Sequence, residues 1–189
     1  DQTWANIAIP AFEAVAEKTT LNKLATRSKI AHGWLNLGTQ RTRLVQQDEK
    51  ATAKKCPCCL TATEDFVHLL TCPDPRAVKT RYEATEILRK KLRYHPGGIQ
   101  LAKAIKTWTH SPTLDPPATA HIKIIERFVT NTYREQGEIG WENLFRGYIT
   151  SQWGQTTFEH MTYEQRFNRA YKFNKKAIAA IWEYTETLW

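Results

Sequence analysis

A chain of 189 residues with 41% hydrophobic content is long enough to bury a core without covalent staples, and it reads as one domain or at most two small ones. Seven tryptophans beside only eight glycines and eight prolines exclude a disordered, low-complexity segment. The net charge of +8 is uneven: +4 over residues 1–55, −3 over 56–75, +7 over 76–106 and zero over 107–189.

No apolar run approaches the roughly 18 residues of a membrane helix, so no membrane partner is expected. The opening DQTWANIAIPAFEAVAEK carries no basic stretch ahead of a long apolar one, and a start at Asp1 reads as a fragment or a processed chain. AIPAFEAVAEK and LNKLATRSKIAHGWL read as helices of three or four turns, the second with Leu24, Ile30, Ala31, Trp34 and Leu35 mostly on one side. Gly38 is expected to stop that helix, and QQDEKATAKK to form a polar surface connection.

After the cysteines, PRAVKTRYEATEILRKKLRY has the clearest amphipathic pattern. Val78, Tyr82, Leu88 and Leu92 fall on one face, with Arg76, Lys79, Glu83, Glu86 and Lys90 on the other. HPGG ends it, IQLAKAIKTW is a shorter helix, and HSPTLDPPAT is a proline-rich loop. Helical periodicity returns through HIKIIERFVTNTYREQ and GWENLFRGYITSQW. It ends in a helix of about 25 residues in which Phe167, Ala170, Ala177, Ile178, Ile181, Trp182 and Leu188 form a packing stripe. No strand of period two and no repeat of 20–50 residues is present. The expected fold is all-α, divided into an N-terminal helical segment (1–55), a metal-binding knuckle (56–72), a basic helical segment (73–110) and a C-terminal bundle (111–189), packed as one compact unit.

All four cysteines lie in CPCCLTATEDFVHLLTC, arranged as Cys56-x2-Cys59-x8-His68-x3-Cys72 with Cys58 as an additional thiol. A C-x2-C turn brings two sulfurs together, and His68 and Cys72, four apart, share one face if their segment is helical. That supplies three thiolates and one imidazole, the donor set of a closed structural zinc site. Two other readings are open at this point: disulfides, which adjacent Cys58 and Cys59 disfavour, and thiols buried as small apolar residues with His68 as a core histidine. Cys56 and Cys59 match the two-residue ligand spacing, which makes Cys58 the spare.

The blocks KIAHGWLNLGTQR, CPCC with HLLTCPDPR, and EIGWENLFRGYITSQW, in that order, resemble the region downstream of the polymerase in reverse-transcriptase-like retroelement proteins of the non-LTR type, a large set of which occurs in diatoms and related protists. The resemblance spans the chain from about Lys29 to its end. It implies Cys56, Cys59, His68 and Cys72 as zinc ligands and a knuckle that helps hold template or target nucleic acid. Trp34, Gly38, Gly140, Trp141, Gly147 and Trp153 fall in the flanking motifs, where packing is the expected role.

Neither a YxDD-like polymerase motif nor an acidic-x-Lys pair after Pro73-Asp74 is present, and no phosphate-cradling or hydrolase motif appears. The sequence therefore points to a nonenzymatic, zinc-stabilised nucleic-acid-binding domain, intracellular and nuclear, with DNA or RNA as partner and other domains of a parent protein as further partners. The expected phosphate contacts are Arg76, Lys79, Arg81, Arg89, Lys90, Lys91 and Arg93, flanked by Lys54 and Lys55. A protein-interaction scaffold is the alternative, and a metal-dependent nuclease, which needs converging carboxylates, a third.

Overall fold

A computed structural model describes residues 5–43, 45–110, 126–155 and 162–189. Among these the regular elements are helices, joined by two isolated antiparallel bridges, Ile7 with Thr150 and Lys55 with Thr63. In chain order they are α1 (Ile9–Glu17), α2 (Leu21–Ala31), α3 (Gly38–Arg41), α4 (Lys50–Ala53), α5 (Phe66–Thr71), α6 (Pro75–Leu92), α7 (Pro96–His110), α8 (Glu126–Ile139), α9 (Trp141–Phe145), a 3-10 turn (Ser151–Gly154) and α10 (Tyr163–Leu188). The all-α expectation holds.

The long helix α10 is the axis of the molecule. It packs against α6, α1 and the 3-10 turn, while α6 also packs on α7. Ala170, Ala177, Ile178, Ile181 and Trp182 are buried in a core that takes in residues from every segment, from Ala8 through Phe66 and Leu70 of α5 to Tyr184. Each fully buried Leu or Ile in such a core contributes about 1.5–3 kcal/mol relative to exposure. Phe167 departs from the expected stripe: α10 is exposed over residues 163–169, so burial begins only at Ala170.

A buried glutamine organises the segment 140–153. The Gln136 side-chain amide donates to the carbonyls of Gly140 and Tyr148, while its oxygen accepts from Thr150 N and Trp153 Nε1. One side chain thereby satisfies backbone that is neither helix nor sheet. Trp141 and Trp153 are buried, as packing predicts. Trp34 is not: it is 65% exposed and lies against the His32 ring.

The stop of α2 also differs from the expectation. Gly33, with φ 68°, ends the helix: Trp34 N donates to Lys29 O and Gly33 N to Ile30 O, the paired bonds of a left-handed C-terminal cap. Gly38 instead opens α3. On α6 the buried residues are Arg81, Ala84, Thr85, Leu88 and Leu92, whereas Val78 and Tyr82 are exposed. Steps of three and four from Arg81 trace that face, and counting from Val78 places the stripe about 60–100° off. The HPGG segment separates α6 from α7 as expected, with α7 already beginning at Pro96. The proline-rich stretch after His110 lies outside the described residues.

Candidate metal centre

Residues 56–63 form a tight knuckle. Cys56 N donates to Ala62 O and Leu60 N to Cys56 O, both at 2.9 Å, and Leu60 sits in the left-handed region with φ 59°. The next residues build α5, whose Asp65 side chain caps the helix by accepting from His68 N at 2.7 Å. That cap fixes the backbone of the histidine. Cys72 is the C-cap of the same short helix, so His68 and Cys72 stand one turn apart as their spacing implies.

The four donor atoms of Cys56, Cys59, His68 and Cys72 all lie within 4.8 Å of one another, and together they can hold a metal ion. Cys56 Sγ is 3.7 Å from Cys72 Sγ, and Cys59 Sγ is 3.4 Å from His68 Nε2. A tetrahedron with metal–sulfur bonds of about 2.3 Å has sulfur–sulfur edges of about 3.8 Å, so the spacing fits. All four cysteines are free thiols, and a separation of 3.7 Å is far beyond a disulfide bond of about 2.05 Å.

Each sulfur of the cluster receives backbone N–H donation from nearby in its own loop. Cys58 N donates to Cys56 Sγ at 3.4 Å, the amides of Ala62 and Thr61 point at Cys59 Sγ, and the amide of Asp74 at Cys72 Sγ. Such donors stabilise negative charge on sulfur. The Thr61 hydroxyl first, then the Ala62 and Thr61 amides, bring the Cys59 thiol down to about 5. Burial pushes Cys72 up to about 12 against the help of the Asp74 amide. Cys58 is outside the cluster, and burial followed by the neighbouring Cys56 raises its thiol.

The knuckle is anchored on both sides. Arg76, at the start of α6, donates from Nη2 to Cys58 O at 2.9 Å while its backbone and Nε donate to Asp74, whose carboxyl is held below its usual value by that arginine. On the other side, the buried Glu64 carboxylate accepts from Gly38 N at 2.9 Å and pairs with Arg41 at 2.8 Å. A Cβ on Gly38 would sit 2.2 Å from Lys54 O, so this approach requires glycine. The residue pair Gly38 and Glu64 escaped the sequence reading.

The nine cations expected to meet phosphate are in different situations. Arg81 is a correction: it is 3% exposed and faces the core, so no phosphate can reach it. Arg89 pairs with Glu86, Lys91 with Glu183, and Arg76 is engaged with Asp74 and the knuckle. Lys79, Lys90 and Arg93 are exposed and form no ion pair among the described residues, and Lys54 and Lys55 are exposed beside the knuckle. The Arg93 guanidinium lies over the Tyr94 ring at 4.6 Å. Lys106 of α7, which the sequence reading did not single out, places its ammonium 5.6 Å from the ring centroid of the 54% exposed Tyr82.

Among the described residues, this Cys3His set is the group of three or more metal-ligating side chains that could hold an ion. No helix in the described residues is long and apolar enough to cross a membrane. Comparison with protein-family models, with curated proteins and with solved structures gives no match.

Proposed function

We propose that the chain is a nonenzymatic, zinc-stabilised nucleic-acid-binding domain of a retroelement-derived, reverse-transcriptase-like protein that works in the nucleus. Zinc is the metal that suits three thiolates and an imidazole at tetrahedral spacing, since harder cations prefer oxygen ligands. Four protein donors leave no open position for a reacting water, which makes the centre structural.

The observation that carries the nucleic-acid reading is the outer face of α6, which starts at the knuckle and presents Lys79, Lys90 and Arg93 to solvent with the exposed ring of Tyr82 beside Lys106. Cations neutralise phosphates and an exposed ring offers a stacking surface for a base, the combination by which single strands are held without sequence preference. The retroelement context is supported by the three sequence blocks.

A titration by fluorescence anisotropy at several salt concentrations tests the reading. Replacing Lys79, Lys90 and Arg93 with alanine lowers the log-log salt slope on duplex DNA by roughly two to three units. Tyr82→Ala weakens single-strand binding by about 5- to 100-fold, the equivalent of losing one stacked base, and leaves duplex binding nearly unchanged. A folded triple variant with wild-type affinity and salt slope would remove α6 from the binding surface.

The scaffold reading draws on a different observation: Tyr163 and Phe167, four apart on the first turns of α10, are 80% and 58% exposed. Retained affinity in the triple variant would put that reading first. Cleavage of nucleic acid with added magnesium, lost on neutralising Asp74, would favour the nuclease.

A further inference from the structure

Arg81 is a buried cation without an evident anion. Its Nε and Nη1 have no hydrogen-bond partner among the described residues, and the residue points inward from α6 beside Ala84, Thr85 and Leu88. An ion left this way costs far more than an apolar side chain of the same volume, so a methionine at position 81 would fill the space more cheaply. Two groups stand within electrostatic reach of the guanidinium: Tyr184 of α10 and Cys72. Tyr184 is 2% exposed, and burial holds its phenol neutral, so it offers no charge. Cys72, 2% exposed and the last of the four donors, remains.

A divalent ion held by three thiolates and one imidazole has a net charge of minus one. We propose that Arg81 is the counter-ion of this metal centre: a positioning residue in the helix core whose fixed positive charge balances the loaded site through Cys72. The inference rests on the metal reading of the cluster. It explains why a bundle core keeps an arginine, and it couples metal loading to the α6–α10 packing. With metal bound, the guanidinium and the thiolate centre stabilise each other. Without it, Arg81 is a buried charge that opposes folding.

The signs of these two effects are opposite, which separates the role from plain packing. Zinc affinity is measured by competition with a chromophoric chelator for the wild type, Arg81→Met and Arg81→Lys, and urea midpoints are recorded for each chain with and without zinc. Outer residues of metal sites typically change affinity by about 10- to 100-fold. Arg81→Met is therefore expected to weaken zinc binding by about tenfold or more while raising the urea midpoint of the metal-free chain, and Arg81→Lys to recover most of the affinity. The cobalt-substituted proteins add a spectroscopic readout, because the thiolate-to-metal absorption band responds to the charge beside Cys72. Unchanged zinc affinity in Arg81→Met would overturn the inference. So would equal losses in both variants accompanied by a lower metal-free midpoint, the pattern of a packing role. A wild-type chain that takes up no zinc would overturn the metal reading itself, an outcome distinguishable from either.

Discussion

The backbone amide of Gly38 donates to the carboxylate of Glu64 at 2.9 Å, although the two residues are 26 positions apart. Glu64 is buried, pairs with Arg41, and sits in the loop between Cys59 and His68. Its own amide donates to Lys54 O at 2.8 Å, the atom that a Cβ on Gly38 would strike. The N-terminal segment and the cysteine knuckle are thus closed against each other by one carboxylate and one glycine, with Arg41 sealing the edge. This gives a physical reason for a glycine four residues after Trp34, where a helix stop and a packing role were expected.

Gly38→Ala should therefore cost about 1–3 kcal/mol of stability through overpacking against the Lys54 carbonyl. Glu64→Ala should cost a similar amount, because it leaves the buried Gly38 N–H without its acceptor and removes the ion pair with Arg41. Chemical denaturation of each variant in zinc and in chelator checks both figures. Because the knuckle backbone is displaced in either case, zinc affinity should fall as well; variants as stable and as tightly loaded as the wild type would refute the anchoring role.

His95 makes stability depend on acid. Burial first, then the positive charge of Arg169, lowers its imidazole to about 4, and the ring stacks on Phe173 at a centroid distance of 3.9 Å. An unfolded histidine titrates near 6.5, so between about pH 6.5 and 4 the unfolded chain binds a proton that the folded chain refuses. Stability contributed by the neutral ring is present above about pH 6.5 and is lost as pH falls through the window. Urea midpoints from pH 7.5 to 4 should decline, and the decline should be shallower in His95→Phe, which keeps an aromatic ring against Phe173 and cannot titrate. Parallel curves for the two proteins would place the acid sensitivity elsewhere, with the thiol ligands the first alternative.

The helices and the clustering of Cys56, Cys59, His68 and Cys72 were legible in the sequence because both depend on local spacing. A turn of C-x2-C and a histidine four residues before a cysteine fix distances within one knuckle and one helical turn. The orientation of α6 was less legible. Val78 and Tyr82 carry apolar surface at helical spacing with Leu88 and Leu92, and only the packing of α10 and α7 decides that Arg81 faces inward while Tyr82 faces solvent. The stop of α2 could have been read at Gly33, since a glycine followed by an apolar residue is the signal of a left-handed cap. Gly38 and Glu64 had no such signal, because a contact between residues far apart in the chain leaves no periodic trace.

The ligand set itself makes the sharpest test. Cys58 adjoins Cys59 and lies two residues from Cys56, yet the donor cluster contains Cys56, Cys59, His68 and Cys72 without it. What Cys58 gives the site is its backbone N–H, donated to Cys56 Sγ, and its carbonyl, which holds Arg76. Cys58→Ser preserves both, so it should keep about one zinc per chain and the wild-type melting temperature. Cys59→Ser removes the sulfur on which the Thr61 hydroxyl and the amides of Ala62 and Thr61 converge, and His68→Ala removes the only imidazole of the set. Both should lose the metal and destabilise the chain to the level of the chelator-treated wild type, since the binding energy of a structural metal is folding energy. Metal content by mass spectrometry and thermal melting by circular dichroism supply the readouts. In cobalt-substituted protein the thiolate absorption should match three sulfur ligands for both the wild type and Cys58→Ser. A Cys58→Ser protein that has lost its metal, beside a Cys59→Ser protein that has kept it, would exchange the roles of the two cysteines and move the knuckle's turn by one residue.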